Sequence, residues 1–186
     1  MRSALEVSNE RVLMSAKEVE RSISRLAHEI LEPDDAQDGV ILIGIRRGGE
    51  QFARRIAAKI EEINGAKPSL GFLNINLYRD DDVAHPLPES EIHSDVTGRL
   101  VIVVDDVLYT GRTVRSALDA VTDLGRPRAI RLAVLIDRGL RELPVQADYV
   151  GKRISTTRSE HVDVHLSKSS SKDDRVVIRS DGDAGA

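Results

Sequence analysis

Two adjacent acidic residues, Asp105 and Asp106, follow a run of branched apolar residues at 101–104. The turn at 110–113, Thr-Gly-Arg-Thr, comes directly before a helical pattern. The amides and dipole at a helix N-terminus favour an anion, and Gly111 lets the backbone approach a ligand closely. The two carboxylates suit a diol or a hydrated metal ion. A sugar phosphate carries both features.

This stretch also has a purely structural interpretation, because an Asp-Asp pair can cap the helix of an ordinary strand–turn–helix unit. The sequence excludes some other chemistries. The turn lacks the Lys-Ser/Thr pair and glycine spacing of a Walker A loop, and no GxGxxG fingerprint is present. With no cysteine in the chain, disulfides, thiolate nucleophiles and cysteine metal sites are excluded.

The elements around the acidic pair alternate between apolar runs, which predict buried strands, and helical spacing. Ser15 and Glu18 predict a capping box at the start of the first helix. In chain order, the sequence predicts a helix to about residue 30, a strand at 40–45, a helix at 52–64, strands at 70–78 and 100–105, a helix at 114–124, a strand at 129–137, and short strands near 147–151, 161–166 and 175–179. The alternation predicts an α/β fold with a mainly parallel central sheet and helices on both faces.

The sequence predicts one domain flanked by a loose N-terminal arm and a disordered C-terminal tail. Residues 1–12 are polar and without pattern, so we expect a loose N-terminal arm. Residues 13–179 are expected to form a single domain, and 180–186 a disordered tail. The acidic, proline-containing segment 79–98 is expected to be a flexible loop, because loops of this length often act as functional lids.

The bulk composition sets limits on partners and location. The formal net charge is −4 at pH 7, so no global basic excess indicates nucleic-acid binding, and such a role would need a local patch. The apolar runs are too short to span a membrane, and the N-terminus lacks the apolar core of a secretory signal. We therefore expect a cytoplasmic protein without a membrane partner.

Several strings resemble known families. The stretch "VIVVDDVLYTGRT" at 101–113 resembles the phosphoribosyl pyrophosphate (PRPP) motif of type I phosphoribosyltransferases. From about residue 13 to 178, the chain resembles one family more narrowly, the PyrR family. The strings that carry this resemblance are "NLYRDD" at 76–81, "VDDVLYTGRTVRSALDAV" at 104–121, "GRPRAI" at 125–130, "LAVLIDRGLRELP" at 132–144 and "ADYVGK" at 147–152. That family consists of pyrimidine-operon regulators that are also uracil phosphoribosyltransferases. The resemblance implies a type I phosphoribosyltransferase fold with a small hood and a flexible loop.

The resemblance also implies the roles of individual residues. Magnesium-bound PRPP would lie over the carboxyl edge of the sheet. Asp105 and Asp106 would bind the ribose diol, partly through the waters of Mg²⁺, with no direct metal ligand. The expected catalytic residues are Asp105, Asp106, Arg47 and Arg79. The expected PRPP and phosphate contacts are Val101, Ile102, Val103, Val104, Asp105, Asp106, Val107, Leu108, Tyr109, Thr110, Gly111, Arg112 and Thr113. The expected pyrophosphate loop is Arg46, Arg47, Gly48 and Gly49, and the expected uracil pocket is Asp137, Arg138, Tyr149, Val150 and Lys152.

The second activity of the family is binding to pyrimidine-operon messenger RNA, promoted by uridine nucleotides such as UMP and UTP. Residues 126–158 contain eight basic and three acidic residues, a local surplus of the kind that RNA binding needs. A solvated face with active-site cations would give the same charges. The RNA-binding candidates are Ser24, Arg25, His28, Arg141, Lys152 and Arg153. A homodimer or a higher homo-oligomer is expected.

The chain departs from the family pattern at the pyrophosphate loop. The family usually has Thr-Arg-Gly where this chain has Arg47, Gly48 and Gly49, and Leu140 and Gln146 replace a common histidine and arginine. Three hypotheses follow. The first is a uracil phosphoribosyltransferase that also regulates the pyrimidine operon. The second is a non-catalytic RNA-binding regulator that senses nucleotides. The third is a phosphoribosyltransferase for another base, without an RNA role.

Overall fold

The computed structural model describes residues 9–36, 39–76 and 88–180. Three α-helices, eight strands and two short 3₁₀ helices (Asp34–Ala36 and Ser171–Asp173) make up the regular structure of this part. The helices are α1 (Ala16–Leu31), α2 (Gly48–Asn64) and α3 (Arg112–Asp123). The strands are β1 (Asn9–Met14), β2 (Val40–Ile45), β3 (Ser69–Leu73), β4 (Leu100–Leu108), β5 (Ala129–Asp137), β6 (Tyr149–Arg153), β7 (Glu160–His165) and β8 (Arg175–Ser180).

A five-stranded sheet in the order β3-β2-β4-β5-β6 forms the centre of the fold. All four of its strand pairs are parallel. Alternate residues of the strands face opposite sides: Ile102 and Val104 pack with α1 and α2, whereas Val101 and Val103 pack with α3. Both faces are therefore buried, which explains the unbroken apolar runs. The prediction of an α/β fold with helices on both faces is confirmed.

The first helix begins as the sequence predicts. The backbone amide and the hydroxyl of Ser15 both donate to Glu18 Oε2, at 2.8 and 2.7 Å. These bonds satisfy polar groups that the first turn of a helix cannot pair internally. One face of the helix is buried, including Val19, Leu26 and Ile30. The capping box and the helical spacing thus place α1 against the sheet.

A second, antiparallel sheet joins the two ends of the chain in the order β1-β8-β7. The expectation of a loose arm is wrong for residues 9–12, because they belong to β1 and pair with β8 from Asn9↔Ser180 to Val12↔Val177. Their pairing partner lies at the far end of the sequence, so no local pattern indicated a strand. This sheet is the small hood of the fold.

The segment after β2 and α2 also differs from its prediction. The strand expected at 70–78 is β3, which ends at Leu73, and residues 77–87 lie outside the described residues. Within the expected flexible loop at 79–98, the described part is tied down: Phe72 and Glu91 exchange two backbone hydrogen bonds of 2.9 and 2.8 Å, and Val96 is fully buried. None of the helices in the described part is long and apolar enough to cross a membrane.

Candidate active site

The carboxyl end of the central strand β4 carries Asp105 and Asp106. Asp105 is buried, and its Oδ1 accepts from the Asp106 amide at 3.0 Å. Asp106 is partly buried, and its Oδ1 accepts from the Val107 amide at 2.8 Å. The strand continues through both residues to Leu108, paired with β5. A buried parallel strand therefore holds the two carboxylates rigidly at the sheet edge where ligands of open α/β sheets bind.

Burial perturbs both of these acids. It raises the pKa of Asp105 well above its ordinary value, and the adjacent charge of Asp106 adds to the rise. Burial also raises the pKa of Asp106, and the charge of Asp163 on the hood strand β7 acts in the same direction. Desolvation and mutual repulsion destabilise the charged forms of these carboxylates, so an incoming cation or hydroxyl donors would stabilise them. Two adjacent acids with raised pKa values in one site suggest a functional role.

The loop between β2 and α2 packs directly onto this pair. A Cβ atom added to Gly48 would lie 2.2 Å from the Asp106 carboxyl carbon, and one added to Gly49 would lie 2.1 Å from the Val104 carbonyl oxygen. At Gly49 the obstacle is backbone, so only glycine fits there, whereas a side chain at Gly48 would have to displace the Asp106 carboxyl group. The N-terminus of α2 thus meets the carboxylates of β4, and the sequence-predicted pyrophosphate loop lies beside the predicted ribose site.

The two arginines of the loop have different environments. The Arg46 side chain is 7% exposed and forms ion pairs with Glu50 at 3.2 Å and Glu91 at 2.6 Å. Arg46 is therefore an internal anchor, which the sequence did not indicate. Arg47 is exposed, and the peptide bond between the two residues is cis. Arg79, the other predicted cation, lies outside the described residues.

The predicted phosphate turn leads into α3 as expected. Gly111 is the N-cap of α3, with a left-handed φ of 92° that glycine adopts without strain. Thr110 Oγ1 accepts from the Arg112 amide at 3.4 Å. Arg112 is exposed, and its Nε donates to Glu142 at 3.0 Å. By contrast, the predicted contacts at 101–104 are fully buried in the strand, so they act as a scaffold.

The chain after β5 folds back over this turn. Asp137, at the end of β5, accepts from the Gly139 amide at 3.1 Å and from Arg141 Nη2 at 2.5 Å. Arg138 is buried and stacks on the Tyr109 ring, with 4.2 Å from its Cζ to the ring centroid. Its Nη2 also donates to the Thr157 carbonyl at 2.9 Å, at the entrance to the hood. Arg138 therefore joins the turn, β5 and the hood.

The predicted uracil pocket is only partly assembled by the fold. Asp137 and Arg138 lie at the carboxyl edge, beside the phosphate turn. Tyr149 and Val150 lie further back along β6, opposite Ala133 and Val134, and are buried in the two cores. Lys152 is closer to the edge, but its Nζ donates to the Leu13 carbonyl at 2.8 Å. The side chains of Tyr149 and Val150 therefore belong to the cores and do not line a pocket at this edge.

Five of the six RNA-binding candidates lie on neighbouring elements. The Arg25 guanidinium of α1 donates to the Val150 and Gly151 carbonyls of β6, at 2.9 and 2.8 Å. This contact joins two elements that form one surface, which we call the α1–β6 face. Its members are Ser24, Arg25, His28, Lys152 and Arg153. Arg25, His28 and Arg153 are exposed. The sixth candidate, Arg141, is bonded to the phosphate turn instead.

Asp163 is a hood residue that the sequence did not connect with the acidic pair. It lies on β7, and its carboxylate accepts from Arg179 Nε at 2.6 Å. Its charge adds to the rise in the pKa of Asp106, and its strand β7 is in contact with β4, which carries the acidic pair. The alternation in "EHVDVH", with valines that pack on the core, could have indicated that Asp163 faces the other way.

The comparisons with known proteins agree with this geometry. A family model described as phosphoribosyl transferase domain matches residues 13–169. The fold resembles a hypoxanthine phosphoribosyltransferase from Staphylococcus aureus (TM-score 0.66, 20% identity, 87% of this chain and 86% of that one). It also resembles a hypoxanthine-guanine phosphoribosyltransferase from Bacillus anthracis (TM-score 0.65, 23% identity, 81% of this chain and 84% of that one). Fold and site thus define a protein with a type I phosphoribosyltransferase fold.

Sequence relatives narrow this class. The chain is 49% identical over 177 residues to "Bifunctional protein PyrR" of Chloroflexus aurantiacus, with 93% of this chain and 97% of that protein covered. It is 50% identical over 170 residues to the protein of the same name from Thermoanaerobacter sp. (strain X514), with 89% and 95% covered. The Streptomyces coelicolor protein of that name is 48% identical over 167 residues, with 88% and 86% covered. The chain belongs to the PyrR family.

Proposed function

We propose that this protein transfers the phosphoribosyl group of PRPP to uracil, forming UMP and diphosphate, and that it regulates pyrimidine-operon expression by binding the messenger RNA leader in response to uridine nucleotides. One observation carries the enzymatic half. Two adjacent aspartates, the glycines of the 46–49 loop and the N-terminus of α3 converge at the carboxyl end of β4. The names of relatives at 48–50% identity support both halves.

The residues have distinct roles in this reaction. The turn at 110–113 and the first amides of α3 would hold the 5′-phosphate. Asp105 and Asp106 would accept hydrogen bonds from the ribose hydroxyls. As the bond from the anomeric carbon to pyrophosphate breaks and uracil attacks that carbon, positive charge develops on the ribose. Two carboxylates fixed on a rigid strand stabilise that charge, so catalysis here is positioning and electrostatics.

The donor set fits a magnesium ion that enters with its substrate. Within the described ranges, no three or more His, Cys, Asp or Glu side chains are grouped to hold a metal ion. Asp105 and Asp106 are two adjacent carboxylates at the end of β4. Magnesium is commonly bound by one or two carboxylates together with substrate phosphates and waters. When bound, the ion neutralises charge on the leaving pyrophosphate. The exposed Arg47 would supply further positive charge.

The enzymatic half is tested by uracil-dependent release of pyrophosphate from PRPP in the presence of Mg²⁺. Asp106→Asn removes one carboxylate and is expected to lower kcat/KM by about 100-fold. Asp119→Asn is the matched control, because Asp119 is 51% exposed on α3. It should match the wild type. A wild-type protein that binds UMP but releases no pyrophosphate contradicts the enzymatic half.

The regulatory half is supported by the α1–β6 face. Arg25 and Arg153 are exposed there, in an otherwise acidic protein. Binding of a transcript of the pyrimidine-operon leader can be measured with and without UMP over a series of salt concentrations. Arg153→Gln is expected to weaken binding and to reduce the slope of log K against log salt by about one. Equal binding by wild type and variant, at every salt concentration, contradicts a role for this face.

A second function is favoured by one observation at the pyrophosphate loop. The Arg46 charge is already paired with Glu50 and Glu91, and the position of the usual family arginine is occupied by Gly48. A protein with these features could bind uridylate as a sensor and lack transfer activity. UMP-dependent RNA binding without pyrophosphate release would support this function.

Sedimentation velocity tests the expectation that the protein forms a homodimer or a larger homo-oligomer.

A further inference from the structure

The phosphate turn is held from behind by the chain that follows β5. Residues 139–145 form this support, which we call the buttress segment. Arg141 Nη1 donates to the Tyr109 carbonyl at 2.7 Å and to the Leu108 carbonyl at 3.4 Å. The amides of Glu142 and Leu143 both donate to the Thr110 carbonyl, at 3.0 and 3.1 Å. The carbonyls of Tyr109 and Thr110, directly before the helix, are therefore held by this segment, whereas that of Leu108 also accepts from the Arg138 amide at 3.0 Å.

The same segment also restricts Gly111 and Arg112. A Cβ atom at Gly111 would lie 3.3 Å from the Val145 side chain, so this side chain limits movement of the turn. Glu142 pairs with Arg112 through both Nε and Nη2, each at 3.0 Å. The buttress segment thus contacts each residue from 108 to 112. The position of the helix N-terminus depends on a segment about thirty residues away in sequence.

Arg141 also organises the buttress segment itself. Its Nε donates to the Val145 carbonyl at 3.0 Å, and its Nη1 to the Gly139 carbonyl at 3.2 Å. Its Nη2 donates to Asp137 at 2.5 Å. One planar guanidinium serves both the support and the turn, and its side chain is only 22% exposed. Lysine has the charge but lacks the fixed fork of donors that reaches several acceptors at once.

We propose that Arg141 is a positioning residue for the 5′-phosphate of the ligand. This inference rests on the proposed function, because it names what holds the phosphate cradle of that site. All three guanidinium nitrogens of Arg141 donate to protein acceptors. Without them, the Tyr109 carbonyl loses its donor from the buttress segment and the turn is less firmly restrained. A phosphate gains affinity from amides aimed at it, so a shifted turn binds it less tightly.

The test distinguishes binding of the phosphate group from binding of the rest of the nucleotide. Binding of UMP and of uridine to the full chain is measured by titration calorimetry. Arg141→Gln is expected to lower the affinity for UMP about tenfold or more, because a displacement of about 1 Å can have effects of that size. Its affinity for uridine should stay within about twofold of the wild-type value. Arg141→Lys should lie between wild type and Arg141→Gln. Arg99→Gln is the matched control, because Arg99 is exposed and precedes β4 at the opposite edge of the sheet.

Each other outcome contradicts the proposal. UMP affinity that is unchanged in both Arg141 variants overturns it. An equal loss of affinity for UMP and for uridine also overturns it, because such a loss indicates general damage to the pocket. If Arg141→Gln does not fold, Arg141→Lys carries the same comparison, with thermal melting as the check on folding.

Failure of the proposed function gives a different result. A wild type that prefers UMP to uridine, but releases no pyrophosphate from PRPP and uracil, refutes the transferase and leaves the Arg141 comparison intact. A wild type that binds UMP and uridine equally refutes the phosphate cradle and the role of Arg141 together.

Discussion

Replacing Gly49 with alanine should displace the pyrophosphate loop by a distance that the structure gives. The added Cβ would lie 2.1 Å from the Val104 carbonyl oxygen, and contacts below 3.0 Å are essentially never tolerated. The N-terminus of α2 and the end of β4 must therefore separate by at least 0.9 Å, the difference between these values. Both are backbone groups, so no side chain can rotate to relieve the contact.

We expect Gly49→Ala to lower kcat/KM for pyrophosphate release by about 100-fold, because a misplacement near 1 Å has effects of this size. Overpacking should also lower the free energy of unfolding by about 1–3 kcal/mol.

The control for that loss of stability is Gly65→Ala at the end of α2. Gly65 has a φ of 75° and open space around it, so alanine is strained there by about 1–2 kcal/mol. This variant should keep wild-type activity. The reasoning is refuted if Gly49→Ala retains activity within about threefold of wild type, or if Gly65→Ala loses activity to the same extent.

Three further changes have defined outcomes. Glu91→Gln removes a charge partner of Arg46, so we expect a higher KM for PRPP. Because Glu91 is exposed, the free energy of unfolding should fall by no more than about 1 kcal/mol. An unchanged KM would show that this ion pair does not position the loop. The pKa of Asp105 is raised in the folded state, so its contribution to stability is complete below the ordinary carboxyl pKa of about 3.9 and is lost as pH rises through the raised value. Asp105→Asn should therefore make thermal melting less dependent on pH in this window and raise the melting temperature at neutral pH while lowering activity; a melting curve with the wild-type pH dependence would contradict the burial of charge. Ser15→Ala should lower the free energy of unfolding by about 1 kcal/mol, measured by urea titration, and Ser159→Ala, outside any helix, should not.

Much of the fold could be predicted because its signals are local. The apolar run of β4, the acidic pair and the turn into α3 are consecutive in sequence, so their order alone places carboxylates and a helix N-terminus at one edge of a sheet. The runs in β2 and β5 are apolar throughout because both of their faces are buried. The capping box at Ser15 is satisfied within a single turn. In these places, the interactions that decide the structure join residues close together in the chain.

The arginines show where prediction from sequence stops. Sequence alone marks Arg138 and Arg141 as positive charges suited to a ligand or RNA. In the folded protein, Arg138 bonds to the Thr157 carbonyl, and Arg141 to those of Leu108 and Tyr109. Every residue has a carbonyl, so such acceptors leave no mark in the sequence. Only the folded chain shows which carbonyls come within reach.

The sequence by itself determined the class of the protein: an α/β fold with an acidic pair and an anion-binding turn at the end of one strand. Tertiary structure alone decided how the distant parts meet. It placed Gly48 against Asp106, brought the hood strand β7 into contact with β4, and paired residues 9–12 with β8 as an edge of the hood. The physical reason is the same in each case. Periodicity and capping act over a few residues, whereas close packing and backbone pairing join residues whose separation in sequence carries no signal.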